Sequence, residues 1–373
     1  MASVEKRLRD GKVTWQARWR DPDGRQRKRS LARKVDAERF LTGVDHSQLV
    51  GAYVDPGRSR VLVGVWARQW IDGQVQLKAS TRYRYRSLLR CQVLPTWELV
   101  PLARVTHAEV GAWVARLSAS GLSPATVRQA YRVLSLVLAL AVRDGRLPRN
   151  PADGVRLPRI VTAERRFLSH GQVAALADAC GKHRVVVLTL AYCGLRFGEL
   201  AALRVSRVDA VRRRVEVAES VTEVNGRAVF GTPKSHQSRS VPVPRFLLDD
   251  LAVQLAGKAP TDLVFCSPGG GVLRVGNFRR RGFDRAAREV GLAGLTPHEL
   301  RHTAASLAIA SGASVKSVQR MLGHASAAMT LDVYSGLFDD DLDAVAERLH
   351  DARVPPMCPE ASISLITQRK TGT

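Results

Sequence analysis

Between residues 13 and 19, Val13, Trp15, Ala17 and Trp19 alternate with polar neighbours, the period of a half-buried strand. Asp21, Pro22, Asp23 and Gly24 supply a turn, and RQRKRSL (25–31) predicts a second, very basic strand. A helix follows over about 35–49, and Pro56-Gly57 breaks it off as a linker. From 60 to 160 the period becomes helical. Helices are expected near 62–72 and 80–92. Thr106 and Glu109 form a capping box for a helix with Val110, Trp113, Val114 and Leu117 on one face. Ser123-Pro124 starts another, striped by Val127, Tyr131, Leu134, Leu138 and Ala141 and closed by Gly145. A second linker spans 150–158. Beyond it Ser169 and Gln172 make a further capping box. Strand-like alternation covers 211–243, with a turn at Asn225-Gly226 and a polar loop at 232–239, and helices resume after Val275. Near the end, Phe338, Leu342, Val345 and Leu349 form the stripe of an amphipathic helix over 337–352. The pattern predicts a multidomain, mainly α chain with small β-sheets. A sheet-plus-helix unit occupies 1–57, an all-helical unit 60–157, a mixed α+β domain 165–352 and a tail 353–373.

Charge changes the picture. The 373 residues carry 58 Lys+Arg against 34 Asp+Glu, a formal net charge of +24, so the expected partner is a polyanion such as DNA. The excess is spread: residues 1–40 hold 13 basic against 6 acidic residues, and residues 60–160 hold 16 against 5. Candidate phosphate contacts are Arg25, Arg27, Lys28 and Arg29 on the basic strand, and Arg82, Arg84, Arg86 and Arg90 on the 80–92 helix. The bland reading of either cluster is a solvated face. The five cysteines are scattered without a CxxC pair, which supports neither disulfides nor a zinc knuckle and fits a reducing cytoplasm. The most apolar runs, near 133–142 and 185–195, read as too short to span a bilayer, and the N-terminus lacks a signal-peptide pattern. The expectation is a cytoplasmic protein with no membrane partner.

Four segments of the last domain carry candidate chemistry. In GLRFGEL (194–200), Glu199 stands at helical spacing from Arg196 and can orient it, though such a pair serves structure equally well. In TPKSHQSRSVPVP (232–244), Lys234 alone would read as solvated surface. In TPHELRHT (296–303), His298, Arg301 and His302 fall at i, i+3 and i+4, predicting one helical face suited to an anion. The same stretch matches the zinc-protease pattern HExxH. However, Thr296, Pro297 and Glu299 fit a capping box, which explains Glu299 as a cap and leaves a helix N-terminus that favours phosphate over a dication. In MLGHASAAMTLDVYSG (321–336), Gly323 ends a helix begun near Ser314, exposing His324, and Tyr334 lies near the end of a short helix that Ser326 can cap.

In this order the segments resemble the tyrosine recombinases, the lambda-integrase-like phage integrases. The resemblance covers the whole last domain and, more loosely, the two before it, which resemble an arm-site DNA-binding domain and a helical core-binding domain. It implies Arg196 and Arg301 as the catalytic arginines, Glu199 beside the first, Lys234 as the hairpin lysine, His298 and His324 as the catalytic histidines, and Tyr334 as nucleophile. His302 fills a position often held by His. The implied reaction is site-specific recombination. Tyr334 attacks a phosphodiester to give a 3′-phosphotyrosine, Lys234 protonates the leaving 5′-oxygen, and repeated exchange passes through a Holliday junction. One phosphodiester replaces another, so no cofactor is expected. The implied partners are double-stranded DNA at core and arm att sites, three further copies in a homotetramer, a directionality factor and a host DNA-bending protein. Two rivals remain at this level: a type IB-like topoisomerase, and a DNA-binding regulator without catalysis.

Overall fold

The computed structural model describes the chain except residues 1, 10–11, 23, 50–52, 55–56, 162–164, 234–237, 335–348 and 351–373. The predicted helix over 337–352 and the tail therefore lie outside the described residues, apart from residues 349 and 350, which are helical and exposed. The chain forms two compact units, Met1–Ala163 and Glu164–Thr373.

The first unit opens with an antiparallel sheet in the order β1 (Ser3–Arg9), β2 (Lys12–Arg20), β3 (Gln26–Leu31), followed by α1 (Lys34–Leu49). Strand β1 has no counterpart in the hydrophobic pattern. Only Val4 and Leu8 are apolar on its core-facing side, and Leu8 is exposed, so this edge strand contributes too little burial to show a period. Pairing places Val4, Ala17 and Arg29 on one face with Trp15, Trp19 and Leu31. That face packs on Ala37, Phe40, Leu41 and Val44 of α1. The turn forms as expected: Asp21 accepts the Arg25 amide through Oδ1 at 2.8 Å, and Gly24 takes φ +80°.

Helices α2 (Val63–Asp72), α3 (Ala79–Leu88), α4 (Leu94–Trp97), α5 (His107–Ala119) and α6 (Pro124–Arg143) enclose a separate apolar cluster. The capping box of α5 is present, with the Thr106 amide 3.0 Å from Glu109 Oε2, and Ser123 caps α6. By length and composition α6 could cross a membrane, a longer apolar run than the 133–142 stretch suggests. Its stripe of Val127, Val133, Leu134, Val137 and Leu138 is fully buried in the bundle, each such side chain contributing roughly 1.5–3 kcal/mol.

The second unit begins with α7 (His170–Ala179), α8 (Arg184–Cys193) and the short α9 (Phe197–Ala201). The 211–243 stretch resolves into two sheets. Strands β4 (Val208–Asp209), β5 (Arg214–Val217) and β8 (Arg239–Pro242) pair in the order β4-β5-β8, while β6 (Ser220–Val224) and β7 (Arg227–Gly231) form a hairpin. Asn225 and Gly226 turn that hairpin with φ of 51° and 72°, the positive values a two-residue hairpin loop requires. Then come α10 (Leu248–Leu255), α11 (Val275–Phe278), α12 (Asp284–Glu289), α13 (Pro297–Ala310), α14 (Val315–Leu322) and α15 (Ala327–Tyr334). Helix α8 lies along α13 in the centre of this unit, buried nearly all round. Among the described residues the cysteines are free thiols.

Candidate active site and nucleic-acid interface

Two helix ends frame the site. Helix α8 stops at Gly194 (φ +63°) and α14 at Gly323 (φ +66°), the left-handed conformation that glycine adopts without a Cβ penalty. Carbonyls at such ends lack helical partners. Arg301, from the second turn of α13, takes up two of them: Nη1 donates to the Gly194 carbonyl and Nη2 to the Leu322 carbonyl, each at 2.5 Å. The side chain is 3 % exposed. Burial, then repulsion from Arg196, draws its pKa down to about 9, which leaves it charged at neutral pH.

Arg196 precedes α9. Its amide donates to Glu199 Oε2 at 2.9 Å and its Nη1 to Oε1 at 2.8 Å. Glu199 is 2 % exposed. Burial alone would raise its pKa, but the bonds and charge of Arg239 and the amide and guanidinium of Arg196 outweigh it, so the carboxylate stays ionised below its ordinary value. Arg239, which no local motif singles out, donates Nη1 to Glu199 Oε1 at 3.0 Å and Nη2 to Oε2 at 2.6 Å. Three guanidinium groups thus surround one buried carboxylate, and the surplus positive charge suits an anion.

Tyr334, at the end of α15, is 2 % exposed, and its hydroxyl lies 2.8 Å from His302 Nδ1. Burial pushes its pKa up to about 12, against the pull of Arg301 and Arg165. His302 is held down to about 4 by burial and by His298 beside it, and His324 likewise to about 4 by burial and by Arg301. Both rings are therefore neutral at pH 7. His324 Nδ1 sits 3.0 Å from Thr330 Oγ1. Arg165, another residue outside the sequence motifs, donates to the Val333 carbonyl at 3.2 Å.

The fold thus gathers Arg196, Glu199, Arg301, His302, His324 and Tyr334, while Lys234 lies outside the described residues. On α13 the rings of His298 and His302 meet with centroids 5.1 Å apart, as expected of one helical face, but the three side chains differ in depth. Arg301 turns inward to the two carbonyls, His302 meets the tyrosine and His298 is exposed. The HExxH reading fails locally. Glu299 Oε2 accepts both the amide and the hydroxyl of Thr296, at 2.7 and 2.9 Å, so its carboxylate serves the helix cap.

In the first unit the pleat divides the basic strand. Arg27 and Arg29 share the helix-facing side, where Arg27 pairs with Asp21 at 3.0 Å and Arg29 lies over the Phe40 ring. Lys28 faces the other way, opposite Arg18 and on the same face as Arg20 and Arg7, three residues that β3 alone does not reveal. Arg25 is exposed at the turn. On α3 and the residues after it, Arg82 Nη2 donates to the Gln74 carbonyl at 2.7 Å and Arg86 pairs with Asp72 at 2.9 Å, whereas Arg84 and Arg90 stand exposed.

Comparison with known proteins agrees with this geometry. Residues 166–340 match the phage integrase family. The chain is 28 % identical over 335 residues to the putative prophage phiRv2 integrase of Mycobacterium tuberculosis, covering 85 % of this chain and 87 % of that one. In fold it resembles the Tn1549 transposon integrase solved with a circular intermediate DNA (TM-score 0.67, 21 % identity, 77 % of this chain and 99 % of that one). It also resembles a lambda integrase tetramer bound to a Holliday junction (TM-score 0.58, 19 % identity, 86 % and 95 %). Residues 166–340 are thus similar to the phage integrase family, and over most of its length the chain resembles integrases and tyrosine-type site-specific recombinases.

Proposed function

We propose that the chain integrates or excises a mobile element by strand exchange through a covalent 3′-phosphotyrosyl intermediate on Tyr334 and a Holliday junction. The observation that carries this reading is the buried cluster in which three arginines outnumber one carboxylate beside a tyrosine hydrogen-bonded to a neutral histidine. Arg196 and Arg301 are the groups to hold the non-bridging oxygens as charge gathers on them. His298 and His324 donate hydrogen bonds to the same phosphate, and Lys234 supplies the proton to the leaving 5′-oxygen. A neutral phenol is a poor nucleophile, and His302 Nδ1 stands where its proton can go. The Arg7, Arg18, Arg20 and Lys28 face of the sheet, with Arg25, is the surface for accessory arm DNA, and exposed Arg84 and Arg90 are contacts for core DNA. By likeness to the lambda integrase assembly, the working form is a tetramer on DNA.

The test begins with fragmented DNA from the source genome. Wild-type protein is incubated with it and stopped with detergent, and the protein-linked DNA is sequenced. A recurrent cleavage sequence is expected from wild type and none from Tyr334→Phe. An adduct of equal yield from the phenylalanine variant refutes the assignment. Exchange between two copies of the recovered site, rather than relaxation alone, separates recombinase from topoisomerase.

A further inference from the structure

We propose that Arg239 is a positioning residue for strand cleavage, drawing Glu199 away from Arg196 and fixing the turn that carries His324. This rests on the recombinase reading above. Arg239 opens β8 in phase with buried Val241 and Val243, so the strand's alternation aims its guanidinium inward. Nη1 and Nη2 fork onto the two oxygens of Glu199, and Nε donates to the Met321 carbonyl at 3.0 Å. The side chain also lies flat against Gly323, where a Cβ would come within 2.9 Å of Arg239 Cδ.

Two consequences follow. Glu199 has charge enough for one arginine, and its fork is with Arg239. Arg196 keeps one guanidinium bond to it, with a side chain 25 % exposed, and shares that single negative charge with Arg239. Without Arg239 the carboxylate would close fully onto Arg196 and cancel the charge a phosphate needs. Further, Arg239 and Arg301 grip the successive carbonyls of Met321 and Leu322, immediately before Gly323 and His324. The two arginines therefore fix the end of α14 from two sides, and with it the start of the His324 turn. A lysine keeps the charge but cannot make the fork or reach all three acceptors.

The test is a double-mutant cycle on the full chain, using a nicked duplex of the cleavage site recovered with wild type. Arg239→Ala strands a buried carboxylate and endangers folding, so Arg239→Lys is the working variant, with thermal unfolding as the check. Arg239→Lys should cut the adduct-forming rate at saturating duplex by about tenfold to 100-fold. The half-saturating duplex concentration should stay within about twofold, because most binding contacts lie elsewhere on the backbone. In a Glu199→Gln background, where no carboxylate competes for Arg196, the same substitution should cost at least about threefold less than in wild type, the remainder being the loss of the bond to the Met321 carbonyl before the His324 turn. A near-wild-type rate for Arg239→Lys overturns the inference, as does an equal fold-loss in both backgrounds, the signature of independent structural support. A wild-type chain that forms no adduct at all overturns the recombinase reading and this inference together.

Discussion

On the open face of the N-terminal sheet, Arg20 and Lys28 stand in solvent, while Arg18 and Arg7 share Glu5, at 3.0 and 3.4 Å. In the C-terminal unit, Arg239 and Arg301 are almost fully enclosed, and their donors bond carbonyls and a carboxylate. Surface pairs of the first kind are worth about 0–1 kcal/mol and weaken with salt. Buried guanidiniums of the second kind are costly to desolvate and persist only where several bonds offset that cost. Arginine on the sheet thus provides long-range attraction that tolerates exchange. In the buried cluster it provides geometry that does not.

The largest expected effect tests the buried side of this contrast. Arg301→Lys keeps the charge but leaves the Gly194 or the Leu322 carbonyl without its donor. Adduct formation should fall by about 100-fold, with a drop of about 1–3 kcal/mol in urea unfolding. A fall of less than about threefold would mean that geometry matters no more there than on the sheet. The next effect tests the sheet. Replacing Arg18, Arg20 and Lys28 by Ala together should flatten the plot of log affinity against log salt for long duplex DNA, by about 0.9 for each phosphate no longer neutralised. An unchanged slope removes this face from the DNA interface. The smallest effect is in pH. His302 and His324 titrate near 4 when folded, against an ordinary 6.5, so the unfolded chain takes up their protons first. Their contribution to stability is complete above about 6.5 and disappears as pH falls toward 4. Replacing His302 with Gln should make unfolding midpoints at about pH 7 and about pH 5 differ less than in wild type. The effect is modest because the ring is half-buried, and an unaltered difference would show that His302 is not held neutral by the fold.

Much of this is legible in the sequence wherever one residue's local chemistry decides the outcome. The caps at Thr106, Ser123, Ser169 and Thr296, the glycine stop at Gly323 and the Asn225-Gly226 turn all form as expected. So does the Arg196–Glu199 pair three residues apart. What escapes depends on partners distant in sequence. Arg239 meets Glu199 across 40 positions and Arg165 meets Val333 across 168. One signal is present: Arg239 stands two residues before Val241 on a strand, where an apolar side chain would be expected. The basic strand does not act as a unit, because RQRKR looks uniform until the pleat sends alternate residues to opposite faces. Helix spacing puts Arg301 on a shared face with the two histidines, but spacing says only which residues share a side. The depth of each is set by what packs there.

Three glycines bear on how such an enzyme could be bred for new target sequences. A methyl group at Gly194 would press on Leu322 Cδ2 at 2.8 Å, at Gly198 on the Val221 carbonyl oxygen at 2.5 Å, and at Gly323 on Arg239 Cδ at 2.9 Å. At Gly198 the obstacle is backbone, which cannot rotate aside. Randomised libraries that include these codons would be filled mostly with clones that misshape the cluster. On the function proposed above, diversity confined to solvent-facing sites such as Arg20, Lys28, Arg84 and Arg90 would alter what the protein meets on DNA and leave the proposed cleavage residues as they are.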